Sequence, residues 1–245
     1  MASSTGVLGD RVQLTRSVET PSVVYFNGQY HMFYTGYTGH WSESLNYRIG
    51  HAVSPDGIRW TKDPSFLIGP TAPADPNPTM DFRQSVCAEP GAVVFNNKLY
   101  LYFTAIGANA QVNTVIQTIG LTVLDPATGT WSTPQMALMP DQSAYPRSSC
   151  YGFSTPAACV RNGKVHLFYS IVQAEPWAQV AIGNAVSANG TSGWALNTLP
   201  VINRDVAWRS KEVLAPSVVV DTAGTHLWFG GNNGVNLGVG YVKLA

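Results

Sequence analysis

Four carboxyl groups occupy comparable places in this 245-residue chain. Glu89 stands directly before Pro90 in CAEPGAVVF, with Asp81 and Arg83 a few residues upstream, Glu19 lies two residues before Pro21, and Glu212 four before Pro216. Asp, Glu, Lys and Arg together make up only 11% of the chain, against roughly 25% in an average soluble protein, so this grouping is selective. Two carboxyls facing across a cleft are the equipment of general acid–base or nucleophilic chemistry: burial holds one protonated while a nearby guanidinium keeps the other ionised. Arg83 and Arg209 are placed to supply that cation. The candidate catalytic residues are Glu89, Glu19, Glu212 and Asp81. Arg83, Arg209, Tyr37, Trp41, Tyr151 and Trp208 are candidate ligand contacts, and Trp177 lies in a similar loop. An aromatic ring in a connection either caps the fold or stacks on a flat ligand.

These residues must be positioned by what surrounds the prolines. Pro21–Gly36 reads PSVVYFNGQYHMFYTG, an apolar run, an Asn-Gly turn and an alternating aromatic strand, which predicts a β-hairpin. The pattern returns at Pro90–Ala105, Pro156–Ser170 and Pro216–Gly230, the leading prolines being 69, 66 and 60 residues apart. After each hairpin comes an apolar-Gly pair: Ile49-Gly50, Ile119-Gly120, Ile182-Gly183 and Val239-Gly240. The first three copies then reach a tryptophan strand at Trp60, Trp131 and Trp194. Four short antiparallel strands per repeat predict an all-β propeller. The repeats span about 17–63, 86–134, 152–198 and 212–245, in a single domain over 1–245. Segment 10–16, which includes RVQLTR, is expected to pair into the last repeat and close the ring, removing two free edges. The long connections, above all Lys62–Ala88, deliver the charged residues to the mouth where the innermost strands begin.

Composition narrows the function. Apolar residues at 45% support a sizeable core, and a net charge of zero carries no footprint for nucleic acid or an acidic membrane. No apolar run spans a membrane, and the first residues, MASSTGVLGDR, do not read as a signal peptide. The compartment stays open. Cys87, Cys150 and Cys159 allow at most one disulfide and read more readily as small buried residues. No metal-ligand spacing, G-x-S-x-G or phosphate loop is present, so no cofactor is expected. His31, His166 and His226 fall at matching positions of the second strands, as hydrogen-bonding residues of the fold.

The repeated Pro-x-Val-Val…Gly-x-Tyr-x-x-Phe-Tyr, followed by Ile-Gly-x-Ala-x-Ser-x-Asp-Gly-Ile-x-Trp, resembles the blades of five-bladed β-propeller glycoside hydrolases of the arabinanase/xylosidase type, with the invertase and mannoside-phosphorylase types nearby. The resemblance covers nearly the whole chain. It implies a carboxylate immediately before the proline of the first blade as base or nucleophile, and further acids in other blades. Glu89-Pro90 matches the acid-before-proline position. Glu19-Thr20-Pro21 carries its acid one residue early, and by strand alternation that shift is expected to point the side chain elsewhere. Thr155-Pro156 and Ala215-Pro216 carry no acid, and there are four repeats rather than five. Three readings follow: a glycoside hydrolase-like enzyme with paired carboxylates; a propeller that binds a glycan or small molecule without catalysis; and a propeller enzyme of acid-initiated cyclisation or isomerisation on an apolar substrate.

Overall fold

The computed structural model describes residues 16–38, 47–71, 81–109, 114–141, 143, 145 and 149–244. The elements are almost wholly β and fall into four antiparallel arrays. The first comprises β1 (Arg16–Phe26), β2 (Gln29–Thr38), β3 (Arg48–Ser54) and β4 (Thr61–Lys62). The second comprises β5 (Val86–Phe95), β6 (Lys98–Asn109) and β7 (Thr114–Asp125), with β8 (Thr130–Trp131) and β9 (Gln135–Leu138) both pairing with β7. In the third, β10 (Cys150–Arg161), β11 (Lys164–Gln173) and β12 (Ala178–Ser187) are edged by β13 (Ala195–Leu196) and β14 (Ile202–Asn203). The fourth has β15 (Glu212–Asp221), β16 (Gly224–Asn232) and β17 (Leu237–Leu244). A single parallel bridge, Gly152 to Gln117, joins the second and third arrays into one sheet.

Local sequence explains the hairpins. Asn27-Gly28, Asn96-Asn97 and Asn162-Gly163 all have positive φ, the backbone that matches strand twist in two-residue turns and that Asn and Gly adopt most readily. In the fourth hairpin the Asp221 carboxylate accepts the Ala223 and Gly224 N–H groups instead. The apolar-Gly pairs have a packing reason. Gly50, Gly120, Gly183 and Gly240 sit directly across from Tyr34, Phe103, Tyr169 and Phe229. At each, a Cβ would lie 2.3–2.5 Å from the ring of that aromatic. The ring lies over the glycine, so a large apolar side chain is buried where the sheet has none of its own.

Apolar packing joins the arrays in series. Phe26, Phe33 and Ile49 meet Leu99, Leu101 and Phe103; Tyr100, Tyr102 and Leu121 meet Phe153, Leu167 and Tyr169; Phe168 and Ile182 meet Val213, Leu227 and Phe229. No such cluster joins the fourth array to the first among the described residues. There Trp228, Val239 and Tyr241 on one side, and Val23 and Tyr25 on the other, are exposed. Among the described residues, the expected closure by segment 10–16 is represented by Arg16 alone. Arg16 already belongs to β1, paired with Thr38 of β2; β17 pairs with β16 alone; residues 10–15 lie outside the described residues.

Candidate active site

The residue before each leading proline takes an unusual backbone. Thr20, Glu89, Thr155 and Ala215 have φ of 50°, 53°, 48° and 50°, a left-handed conformation that costs a non-glycine residue roughly 1–3 kcal/mol. Each lies in a register shift of its hairpin, so each begins a β-bulge that re-aims side chains at a sheet end. Buried hydroxyls hold the bulges in place. Thr35, Thr104 and Ser170 occupy one position on β2, β6 and β11. Each accepts the N–H of the bulge residue in the following array: Glu89 to Thr35 at 2.7 Å, Thr155 to Thr104 at 2.9 Å, Ala215 to Ser170 at 3.1 Å. Each also bonds the bulge side chain of its own array: Thr20 at 2.7 Å, Glu89 at 2.6 Å, Thr155 at 2.5 Å. The fourth array has Gly230 there and Ala215 at the bulge, so the series ends.

Glu89 is the one carboxylate in this series. Its Oε2 accepts from the Thr104 hydroxyl at 2.6 Å and from the Thr155 N–H at 3.1 Å, while Oε1 has no partner among the described residues. Burial raises its pKa above the ordinary 4.5; the two donors oppose the shift and the Glu19 charge adds to it. Two cavities meet at this side chain. One, about 350 Å³, is the channel between the innermost strands β1, β5, β10 and β15. The other, about 360 Å³, opens at the mouth where those strands begin and is lined by Glu19, Tyr47, Ala88, Glu89, Thr104, Gln117 and Trp177 among others. Glu19 stands exposed at its rim, its pKa raised by partial burial. Burial and then the charges of Glu19 and, more weakly, Glu89 raise the Tyr47 pKa, which places both carboxyls within electrostatic reach of one phenol.

The displacement of Glu19 by one residue therefore does not remove it from the cavity. Strand alternation requires continuous extended backbone, and the left-handed Thr20 breaks it between Glu19 and Pro21. Ala88 and Glu89 likewise both line the mouth.

The other sequence candidates lie elsewhere. Asp81 and Arg83 form their own pair at 3.6 Å, the Asp81 carboxylate also accepting the Arg83 N–H at 2.8 Å, packed against Gly107. Glu212 accepts a hydrogen bond from Asn232 at the start of β15. Arg209 is bound to Asp205 and the Asn203 carbonyl and lies over Phe229, on which Trp208 stacks. Tyr151 lies half-buried on β10, and Tyr37 packs on Tyr47 at 4.8 Å, one ring behind the cavity wall. Trp41 lies outside the described residues. None of these described candidates lines the mouth cavity. The cysteines are free and buried, and burial pushes Cys87 up to about 12 and Cys159 to about 11. His31 bonds His51 at 3.0 Å and His51 bonds Asp63 at 2.8 Å, a chain internal to the first array.

Tyr47, Thr104, Thr155 and Gln117 were not legible as site residues. The hydroxyl recurring in FYTG, YFTA and FYSI was the available signal for the first ring of contacts. Replacing Thr104 by Val removes the donor to Glu89 and an acceptor for Thr155. A stability loss of about 1–3 kcal/mol is expected from the unmade bonds. Losing that donor raises the Glu89 pKa further, so thermal denaturation should show a larger loss at pH 7 than below the ordinary carboxylate range.

No curated protein matches this chain. Among solved structures it resembles an α-L-arabinofuranosidase from Lactobacillus brevis (TM-score 0.60, 17% identity, 88% of this chain and 66% of that one). It also resembles a thermostable family-43 glycoside hydrolase (0.64, 15%, 92% and 70%). A third is the sucrose-6-phosphate hydrolase from Lactobacillus gasseri (0.61, 21%, 87% and 40%). The chain thus spans between 40% and 70% of the length of these three, and the likeness gives it the β-propeller fold they share. The glycosyl hydrolases family 32 N-terminal domain matches residues 19–147, more than half of the chain, and the chain belongs to that family.

Proposed function

We propose that the chain is a single propeller domain of four blades that hydrolyses a glycosidic bond in the mouth cavity, with Glu89 as general acid and Glu19 as its ionised partner. The observation that carries this is the hydrogen-bonding of Glu89. Because Oε2 accepts two donors, the proton of the neutral acid resides on Oε1, the oxygen left for a ligand. Burial raises the Glu89 pKa, so that proton is held to a higher pH than on an exposed carboxyl, the direction required of an acid that protonates a leaving-group oxygen. Glu19, nearer solvent, ionises first of the pair, and its charge then favours the protonated form of Glu89. Trp177, 53% exposed at the lip, offers a face on which a sugar ring can stack.

The test is incubation with 4-nitrophenyl α-L-arabinofuranoside, 4-nitrophenyl β-D-xylopyranoside and sucrose, following nitrophenolate or hexose release. Turnover lost on mutation of Glu89 supports the reading. A second reading, a carbohydrate-binding propeller without catalysis, is favoured by Thr20, Thr155 and Ala215 standing where the other blades would carry an acid. Binding without turnover would select it. Neither binding nor turnover would discard both in favour of an apolar ligand. Trp177→Ala is expected to weaken sugar binding about three- to tenfold, the worth of one stacked ring, with an unchanged melting temperature because so much of the side chain is already in water.

A further inference from the structure

Gln117 stands in the wall of the mouth cavity, and its Oε1 is buried without a hydrogen-bond partner. The residue is only 6% exposed. A buried amide oxygen left unmade costs free energy comparable to a lost hydrogen bond, and native structures leave few. The neighbouring polar groups do not supply the bond: Glu89 Oε2 and Thr104 are committed to each other and to Thr155, Glu89 Oε1 makes no hydrogen bond among the described residues, and Glu19 stands at the rim. The backbone that carries Gln117 is held on both sides. It pairs with Ile106 of β6, itself a wall residue, and with Gly152 of β10. A Cβ at Gly152 would lie 2.2 Å from the Gln117 carbonyl oxygen and 2.5 Å from its Cβ, so the two strands are in direct backbone contact there. A polar side chain is thereby presented, on a rigid strand, to the same cavity as Glu89.

We infer that Gln117 is a specificity-determining residue: its amide oxygen accepts a hydrogen bond from a hydroxyl of the sugar ring bound beside Glu89. The inference rests on the carbohydrate reading above and sharpens it. An apolar ligand would leave the oxygen unpaired and pay for it, whereas a polyhydroxylated ring satisfies it with a donor. Sites that hold a buried polar group for a substrate hydroxyl reject analogues lacking that hydroxyl. The inference thus assigns the ligand class as one with a free hydroxyl next to the reacting centre, and it makes Gln117 a positioning residue rather than a catalytic one.

The experiment compares wild type, Gln117→Leu and Gln117→Glu by titration calorimetry with methyl α-L-arabinofuranoside, methyl β-D-xylopyranoside and methyl β-D-fructofuranoside, together with their monodeoxy analogues. Gln117→Leu should bind the preferred glycoside about tenfold more weakly or worse, while its melting temperature holds or rises because an unpaired buried group has been removed. Gln117→Glu, which keeps an acceptor, should retain more of the affinity. One deoxy analogue should bind wild type and Gln117→Leu equally, the mark of a hydroxyl read by this side chain. Equal binding of the parent glycoside by wild type and Gln117→Leu would overturn the inference and leave the carbohydrate reading standing. So would a fall in melting temperature with uniform weakening of every analogue, which would make Gln117 a structural residue. No binding by the wild type to any of the glycosides would instead remove the carbohydrate reading, and Gln117 with it.

Discussion

Glu89→Gln should lower turnover by about 10²–10⁴-fold, the contribution of a positioned general acid, while leaving the fold at least as stable at neutral pH. Glutamine keeps an oxygen where Oε2 accepts from Thr104 and Thr155, so the contacts survive and only the transferable proton is lost. The role can be separated from mere contact by leaving-group dependence. A 2,4-dinitrophenyl glycoside departs without protonation, so the variant should recover most of the wild-type rate on it, but not on an alkyl glycoside. Equal impairment on both would exclude an acid role. Stability adds an independent check. The folded-state pKa of Glu89 is raised by burial, so between the unfolded and folded values the native chain binds more protons than the unfolded one. Its contribution to stability is therefore full below the ordinary 4.5 and declines as pH rises through the folded value. Removing the titratable group should flatten that decline, and at pH 7 the variant should melt no lower than wild type. A large loss of stability would instead mark the carboxylate as a structural partner of Thr104.

Gly91→Ala should be the most damaging small substitution in the channel. A Cβ there would fall 2.1 Å from the Pro156 carbonyl oxygen and 2.8 Å from its carbon. Both are backbone atoms of β10, held by the neighbouring bulge, and no side chain can swing aside. Overpacking of this kind costs about 3 kcal/mol, and more where nothing relaxes, which for a chain of this size corresponds to roughly 6–12 °C in melting temperature. Gly163→Ala is the control. Its φ of 69° is unfavourable for alanine, but nothing lies within 4 Å of the added carbon, so it should cost about 1 kcal/mol. Because Gly91 follows Glu89 by two residues, the displaced bulge should carry the carboxylate with it, and activity should fall in Gly91→Ala but not in Gly163→Ala. Equal melting temperatures for the two variants would show that β5 and β10 separate more easily than their contact implies.

The repeat, its hairpins and its all-β class were legible in the chain because they depend on short-range chemistry. Asn, Gly and Asp dictate the turns, alternating aromatics dictate the strands, and a glycine opposite each ring dictates the register. The singular position of Glu89 was also readable, since an acid directly before a leading proline is a local feature. Membership of the mouth cavity was not. Asp81, Arg83, Arg209 and Glu212 have suitable types and suitable spacing, yet each found a partner nearby in space and was consumed by it. Tyr47, Gln117 and Trp177 come from strands and loops far apart in sequence, and only the stacking of arrays side by side brings them around Glu89. The case of Glu19 is the most instructive. Alternation along a strand is a rule of continuous extended backbone, and a single left-handed residue, Thr20, held by a hydroxyl fifteen residues later, suspends it. Residue types and turn chemistry decided which strands form; the bulges, hydrogen-bonded across neighbouring arrays, decided which side chains share a cavity, because that depends on contacts no local pattern encodes.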